Sequence, residues 1–196
     1  MRALKIAQDC AGTPLRQPSA PYQLPVEEEA ARRAVAALQR KAAKVRRVHS
    51  FRTGMGLAAP QIGIRRRVAI VYLADRNQVI TLLNPQVVEQ SAAVETRFEG
   101  CLSFFDVRGQ VTRPVHLLVS HQHFDGTTVA TAFAGSVARL VAHEIDHLDG
   151  ILYTERMAAG DRPMPVEHYR AHHYGAVAAD ASGTRGTTPG SVGSSR

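Results

Sequence analysis

Two histidines one helical turn apart constrain this chain more than any other feature. They are His143 and His147 in the segment His-Glu-Ile-Asp-His-Leu-Asp-Gly, and apolar residues recur around them at helical spacing. Ser136 is a candidate cap for the start of this helix, and Gly150 can end it. Because residues four apart share one face of a helix, both imidazoles can reach one metal ion. Glu144 lies beside that face, where it could take a proton from water at the metal. The alternative is an ordinary amphipathic helix whose histidines bind no metal.

Cys101 is the candidate for a third metal ligand. It lies in the short segment Glu-Gly-Cys-Leu-Ser, residues 99–103. A single cysteine is more often an inert core residue than a ligand. Together with His143 and His147, however, it completes a set of one thiolate and two imidazoles. Such a set leaves a fourth position open to water, as in catalytic zinc sites.

A glycine-rich segment covers residues 54–63 and reads Gly-Met-Gly-Leu-Ala-Ala-Pro-Gln-Ile-Gly. Its three glycines and its proline require close turns of the backbone. The segment lacks both the Lys-Ser/Thr pair and the spacing of phosphate-binding loops. We therefore expect it to bring backbone amides and the side chain of Gln61 against a substrate.

Length and composition fit one domain. The chain has 196 residues, of which 44% are hydrophobic, enough for a core of ordinary size. We predict a single domain over residues 1–177 and a disordered tail over residues 178–196, where small and polar residues dominate. No segment has the length and apolar character of a signal peptide or a membrane span, so we expect a cytoplasmic protein without a membrane partner. Cys10 and Cys101 are too few for a disulfide framework, and Cys10 is expected to be an inert thiol.

The formal net charge of +7 is concentrated in two stretches. One covers residues 32–47 and the other is the run Arg65, Arg66 and Arg67. Such charge favours an anionic partner, for example the ribosome surface. A solvated helix face is the preferred interpretation, because the first stretch lies late in a helical pattern, where cations complement the helix dipole. No nucleic-acid-binding motif accompanies these residues, so we expect no specific nucleic-acid recognition.

The spacing of apolar residues and turn signals in the rest of the chain predicts an α+β fold, in which antiparallel strands pack around a central metal-binding helix. Prolines in residues 1–25 indicate an extended N-terminal arm. Apolar spacing over residues 26–48 predicts a long N-terminal helix. The predicted strands span residues 67–73, 79–83, 86–89, 92–98, 115–124, 127–133 and 151–153. The strongest hairpin signal is Asp125-Gly126, and a short helix is expected at residues 166–174.

Three segments of the chain together resemble a known family. Residues 54–63, 99–103 and 143–150 are similar to the three signature motifs of the bacterial peptide deformylases, in the same order and with similar separations. Residues 12–16 resemble the family's N-terminal segment, and residues 152–156 its continuation after the metal helix. The resemblance implies metal-dependent hydrolysis of the N-formyl group from the N-terminal formyl-methionine of newly made polypeptides, with release of formate.

The resemblance also implies a metal and its ligands. Cys101, His143 and His147 would hold one divalent ion, with ferrous iron expected and zinc, nickel or cobalt as alternatives. Glu144 would act first as general base and then as general acid.

Further residues match positions that meet the substrate in family members. Gln61 through its side chain and Leu102 through its backbone amide would stabilise the oxyanion. Gly56 and Arg108 would contact the substrate peptide. The expected partner is thus an N-formyl-methionyl peptide.

Several positions near these motifs differ from the usual family pattern. Ala142 stands where many members have Gln, and Phe104-Phe105-Asp106 replaces an apolar residue followed by Pro-Gly. Arg97 stands near the entrance, where an apolar or small residue is usual. None of these changes removes a ligand or a catalytic group. We therefore expect an intact site in which these changes alter the pocket shape and the side-chain preference and can weaken turnover.

Two other functions fit parts of the sequence. One is a zinc peptidase in which Glu167 supplies the third ligand, although its surroundings lack the companion residues of that class. The other is a weakly active or inactive deformylase-like protein that binds a metal or a peptide. Against the second stands Glu144, since a buried carboxylate there has little use unless it accepts protons.

Other polar residues have weaker claims. Asp146 and Asp149 could orient the metal helix or its ligands, or could face solvent. Further histidines are expected at the surface: His116, His121, His123, His168, His172 and His173.

Overall fold

A computed structural model shows the fold and describes residues 1–9, 13–51 and 54–172. Two antiparallel sheets and the helices α1 (Glu28–Val48) and α2 (Gly135–Asp149) confirm the predicted α+β class. None of the helices in these residues is long and apolar enough to cross a membrane. The predicted tail, together with Cys10, Gly12 and His173, lies outside the described residues.

The strands divide into a larger and a smaller sheet. Their bounds are β1 Met55–Ala58, β2 Val68–Leu73, β3 Gln78–Gln90, β4 Val94–Cys101, β5 Phe104–Pro114, β6 His116–Gln122, β7 Thr128–Ala134 and β8 Met164–Pro165. The larger sheet has the order β1-β2-β3-β6-β7, and the smaller has the order β4-β5-β8. The hairpin predicted around Asp125-Gly126 joins β6 to β7.

Helix α2 lies against strands of both sheets, including β1, β2 and β7 of the larger and β5 of the smaller. It begins at Gly135, and Ala134 precedes it without a side-chain hydrogen bond, so the predicted Ser136 cap is wrong. It ends as predicted at Gly150, whose φ of 76° is a left-handed conformation that glycine adopts at little cost. A side chain at that position would also meet the backbone of Gln17 at 2.8 Å. The C-terminal end of α2 is therefore fixed by glycine.

Helix α1 packs against the larger sheet, near β2. Its core-facing residues are Ala31, Ala34, Val35, Leu38, Ala42 and Val45. It ends at the predicted Val48 but begins two residues after the predicted start, because residues 24–27 form a turn around Pro25 and leave Val26 exposed. Acidic side chains in the first turn and basic ones in the last turn complement the helix dipole.

Several predicted strands are wrong in extent. Residues 86–89 are not a separate strand but the second half of β3, which stays continuous through register shifts against β6. Strand β5 was not predicted, and the glycine-rich segment contains strand β1. Residues 151–153 form no strand, because the Ile151 N–H continues the end of α2 by donating to Asp146 O at 2.8 Å. A 3-10 turn, Tyr153–Arg156, follows instead.

The N-terminal arm lies along the body, interrupted by 3-10 turns at Arg2–Leu4 and Pro14–Arg16. Leu15 is fully buried, and the Ser19 N–H donates to Leu148 O at 2.8 Å. The arm therefore holds the C-terminal end of α2 in place.

Candidate metal centre

Three potential ligands converge at the middle of the protein. Helix α2 presents His143 and His147 with ring centroids 5.1 Å apart, and Cys101 is the last residue of β4. The Cys101 Sγ lies 3.1 Å from His147 Nε2, and one ligand atom from each residue falls within 4.8 Å of the others. All three side chains are buried. The structure thus brings together the three residues that the sequence singled out.

A tight turn presents the sulfur of Cys101. Cys101 pairs with Phe104 across the turn, so that Leu102 and Ser103 alone connect β4 to β5. The Ser103 N–H donates to the sulfur at 3.3 Å, and Gln61 Nε2 lies 3.6 Å from it. Burial opposes ionisation of the thiol, but electrostatic attraction to His147 and hydrogen bonds from both histidines lower the pKa of Cys101 well below its usual value. The surroundings therefore favour a thiolate, the form that binds metals.

Glu99 orients one of the imidazoles. Its Oε2 lies 2.9 Å from His143 Nδ1, which leaves His143 Nε2 free to face the cluster. Arg113 and Arg139 hold the same carboxylate, with the shortest contact at 2.6 Å. Burial raises the pKa of Glu99, but hydrogen bonds from His143 and Arg113 outweigh this and lower it to about 2. The carboxylate therefore stays charged and keeps the ring fixed.

This role of Glu99 was not predicted from the sequence. The predicted candidates were Asp146 and Asp149, but Asp146 pairs with Arg113 and Arg156, and Asp149 pairs with Arg67. Neither carboxylate bonds to His143 or His147. Strand periodicity gives a partial signal, because Glu99 and Cys101 are two residues apart and both are buried on β4, but it does not show which side chains the carboxylate meets.

Glu144 is a buried carboxylate with an unused oxygen. Its Oε2 has no hydrogen-bond partner among the described residues. Burial, the largest effect, raises the pKa of Glu144 to about 7. Gly56 of β1 faces it, and a Cβ at that glycine would overlap the carboxylate. An unpartnered buried carboxylate is costly unless another polar group binds it, so this oxygen and the three ligand atoms together fit a metal with its water.

Gln61 is held with its amide nitrogen toward the cluster. Its Oε1 accepts from the Ala58 N–H at 2.8 Å, and its Nε2 lies 3.2 Å from Ser103 Oγ. The N-terminal arm supports both predicted oxyanion donors from behind, because the Ala7 N–H donates to Gln61 O and the Gln8 side chain donates to Leu102 O. Gln61 and Leu102 are therefore held in place by hydrogen bonds that the arm donates to their backbone carbonyl oxygens.

A cleft of about 770 Å³ opens onto this cluster. The predicted site residues that line it are Gly56, Gln61, Cys101, Leu102, Arg108, His143 and Glu144. The Arg108 guanidinium lies against the bare Cα of Gly100 and donates to the carbonyl oxygens of Phe105 and Val107. Both predicted substrate contacts, Gly56 and Arg108, thus face the same cleft as Cys101 and His143.

Other residues singled out in the sequence lie elsewhere. Glu167 and His168 are exposed on the helix at residues 166–172 and do not belong to the cluster. His121 was expected at the surface but is buried, because it faces inward on β6 and bonds to Thr131 Oγ1 at 3.0 Å. Of the residues that depart from the family pattern, Phe105 and Arg97 line the cleft, whereas Ala142 packs against the larger sheet.

A family model and the sequences of known proteins indicate the same family for this chain. The sequence model of the family "Polypeptide deformylase" matches residues 4–163. Peptide deformylase 1 of Bacillus subtilis (strain 168) is 45% identical over 105 residues, which cover 54% of this chain and 65% of that protein. The peptide deformylase of Desulforudis audaxviator is 46% identical over 103 residues, which cover 53% of this chain and 66% of that protein. The chain thus spans about two thirds of the length of these relatives.

Solved structures agree with the sequence comparison. The Met-Ala-Ser-bound class I type b peptide deformylase of Acinetobacter baumannii superposes with a TM-score of 0.66 at 32% identity, covering 78% of this chain and 96% of that chain. The peptide deformylase of Plasmodium falciparum gives a TM-score of 0.68 at 25% identity, covering 92% of this chain and 98% of that chain. By its motifs, its fold and these relatives, the chain belongs to the polypeptide deformylase family.

Proposed function

We propose that this protein is a metal-dependent peptide deformylase. Its substrate is the N-formyl-methionyl end of a newly made polypeptide, and its products are formate and the free N-terminal amine. One observation carries the proposal: a buried oxygen of Glu144 that has no hydrogen-bond partner within the described part of the chain lies in the same cleft as Cys101 and His143 of the cluster. The Acinetobacter relative with bound Met-Ala-Ser supports a peptide as the occupant of the cleft.

The proposed metal ligands are Cys101 Sγ and one imidazole nitrogen each from His143 and His147, which makes α2 the metal-binding helix. Deformylases use a divalent metal, and the family resemblance supports ferrous iron, with zinc, nickel or cobalt as alternatives that a set of one sulfur and two nitrogens also accepts. When bound, such an ion would lower the pKa of water to about 7 and polarise the formyl carbonyl. The fixed orientation of His143 through Glu99 strengthens the site.

Glu144 moves the protons of the reaction. It accepts a proton from the attacking water as the water oxygen bonds to the formyl carbon. It then gives this proton to the substrate nitrogen as the carbon–nitrogen bond breaks, so that a neutral amine and formic acid leave, and the acid loses its remaining hydroxyl proton to solvent to become formate. A base is most effective when its pKa lies near the working pH, and the pKa of about 7 that burial gives Glu144 is consistent with this role.

Gln61 and Leu102 stabilise the charge that develops on the formyl oxygen. The Gln61 amide nitrogen faces the cluster because its oxygen is held by the Ala58 N–H. The Leu102 N–H lies in the tight turn directly after Cys101. Removing one such donor typically lowers the rate about 10²–10³-fold.

Gly56 and Arg108 are the proposed substrate contacts, because both line the cleft and Gly56 faces Glu144. A formyl carbon carries only hydrogen, so a narrow recess around Gly54 and Gly56 accepts it and excludes the larger acetyl group. We expect formyl-methionyl peptides to be hydrolysed and acetyl-methionyl peptides to be left intact. Equal rates on the two substrates would contradict this part of the proposal.

The peptidase alternative is tested by the third ligand. Cys101→Ala should abolish metal binding, measured by elemental analysis after gel filtration, and the matched change Glu167→Ala should leave it intact. Loss of metal in Glu167→Ala alone would support the peptidase. Exposure of Glu167 on the helix at residues 166–172, outside the cluster, supports Cys101.

The wider setting of the protein is also part of the proposal. We place the catalytic domain in residues 1–177, in the cytoplasm, with the ribosome surface as a partner of its basic residues. Exposed cations on α1 support this partner: Arg40, Lys44 and Arg47 point outward. Arg32 and Arg33 are instead paired with glutamates one turn earlier in the helix.

A further inference from the structure

An aromatic pair and two arginines form the outer wall of the cleft. The rings of Phe98 and Tyr169 pack with centroids 5.1 Å apart. Arg97 directly precedes Phe98 on β4, and Arg170 directly follows Tyr169 on the helix at residues 166–172. All four residues line the cleft. The ring contact therefore brings two cationic side chains from distant parts of the chain to one wall.

The smaller sheet builds this wall. Strand β8 pairs antiparallel with β5, so that Met164 lies opposite Arg108. The helix at residues 166–172 follows β8 directly and returns along the end of β4, where Tyr169 meets Phe98. Arg97 and Arg170 are thus placed by sheet pairing and ring packing, and both are exposed at the wall.

Within the described part of the chain, the acidic residues that line the cleft do not pair with Arg97 or Arg170, so both cations can meet a bound peptide. Among the described residues that line the cleft, the acidic ones are Glu99 and Glu144. Glu99 is already held by Arg113, Arg139 and His143, and Glu144 is buried beside the ligands. Glu167, one turn before Arg170, is exposed and does not line the cleft.

The ion pair between Arg97 and Glu95 is too weak to prevent Arg97 from binding a peptide in the cleft. Its partner Glu95 lies at 2.7 Å, with both side chains well exposed. Exposed pairs of this kind contribute little to stability. A guanidinium also has five N–H donors, so Arg97 can bind a second carboxylate without leaving Glu95.

We propose that Arg97 and Arg170 make the cleft selective for substrate peptides that carry an acidic side chain shortly after the N-terminal methionine. This inference rests on the proposed deformylase function and names the preferred substrates of the same site. The two guanidinium groups attract a carboxylate on the bound peptide and repel a lysine at the same position. The Phe98–Tyr169 pair holds them at the wall and gives the peptide an apolar surface to lie on.

A peptide series tests this selectivity. Formate release is measured for formyl-Met-X-Ser and formyl-Met-Ala-X, with Ala, Glu or Lys at X, in low salt and in 0.5 M NaCl. We expect kcat/KM for Glu to exceed that for Lys by about tenfold at one of the two positions in low salt, and the ratio to fall in high salt as charges are screened. A ratio near one at both positions would overturn the inference.

Variants assign the selectivity to this wall. The double change Arg97→Ala, Arg170→Ala should bring the Glu-to-Lys ratio close to one, and Arg97→Glu with Arg170→Glu should invert it. Arg40→Ala is the matched control, because Arg40 is an exposed arginine on α1 that does not line the cleft. An unchanged ratio in both double variants would also overturn the inference.

A binding measurement separates this inference from the proposed activity. Met-Ala-Glu and Met-Ala-Lys, together with Met-Glu-Ser and Met-Lys-Ser, are titrated into the metal-free protein and followed by NMR. The acidic member of one pair should bind at least threefold more tightly in wild type and lose this advantage in Arg97→Ala, Arg170→Ala. Absence of formate release from every peptide would refute the deformylase activity alone, whereas equal binding within both pairs would refute the selectivity alone.

Discussion

Replacing Glu99 by glutamine removes a buried negative charge on which three side chains depend. Arg113 donates to Glu99 at 2.6 and 3.0 Å, Arg139 at 2.7 Å, and His143 Nδ1 lies at 2.9 Å. The side chains of Arg113 and Glu99 are 6% and 5% exposed, so water cannot replace the lost charge. Removing one partner of a buried ion pair typically costs about 3–5 kcal/mol. Because Arg113 keeps Asp146 at 2.8 Å, we expect the lower end, about 3 kcal/mol.

The assay compares free energies of unfolding by urea denaturation of chelator-treated proteins, so that metal binding does not contribute. A loss of about 3 kcal/mol corresponds to a fall in melting temperature of about 6–12 °C for a protein of this size. Glu95→Gln is the control on the same strand, because its pair with Arg97 is 40% and 53% exposed and should cost less than about 1 kcal/mol. We also expect Glu99→Gln to weaken metal affinity about 10–100-fold. A stability of Glu99→Gln equal to that of Glu95→Gln would refute the reasoning.

Two further changes give independent checks. Gly56→Ala places a methyl group where the Glu144 carboxylate lies. Formate release should therefore fall at least about 10²-fold while metal content is retained. A rate within twofold of wild type would show that the carboxylate can move aside. Glu27→Gln tests a pH dependence, because the hydrogen bond from Arg66 lowers the pKa of Glu27 from 4.5 to about 2. A lowered pKa stabilises the folded protein above pH 4.5, and this contribution is lost as the pH falls toward 2. The stability difference between wild type and Glu27→Gln should therefore shrink over that window, and a constant difference would exclude this cause.

Local sequence signals predicted the parts of the fold that depend on neighbours in the chain. Periodicity predicted α1 and α2, and Asp125-Gly126 predicted the turn between β6 and β7, because these elements are stabilised by residues close in sequence. The length of β3 and the existence of β5 depend instead on pairing with distant strands. The C-terminal end of α2 depends on both kinds of contact. Gly150 is a local signal, and the N-terminal arm, which is distant in sequence, packs closely against this glycine.

The same distinction applies to the candidate site. Cys101, His143 and His147 belong to recognisable segments, and the structure brings them within reach of one another. The role of Glu99 was missed because its partners Arg113 and Arg139 lie on β5 and α2, and only the packing of these elements places them around one carboxylate. The wall formed by Phe98 and Tyr169 likewise depends on the return of the chain through β8.

Formate release is the most direct test of the central proposal, that the metal cluster and Glu144 act together on a formyl group. Wild-type protein is prepared without oxygen, loaded with ferrous iron and given formyl-Met-Ala-Ser, and the same experiment is done with Glu144→Gln at equal metal content. We predict that wild type releases stoichiometric formate and that Glu144→Gln releases none above background. No release by iron-loaded wild type, or equal release by both proteins, would contradict the account.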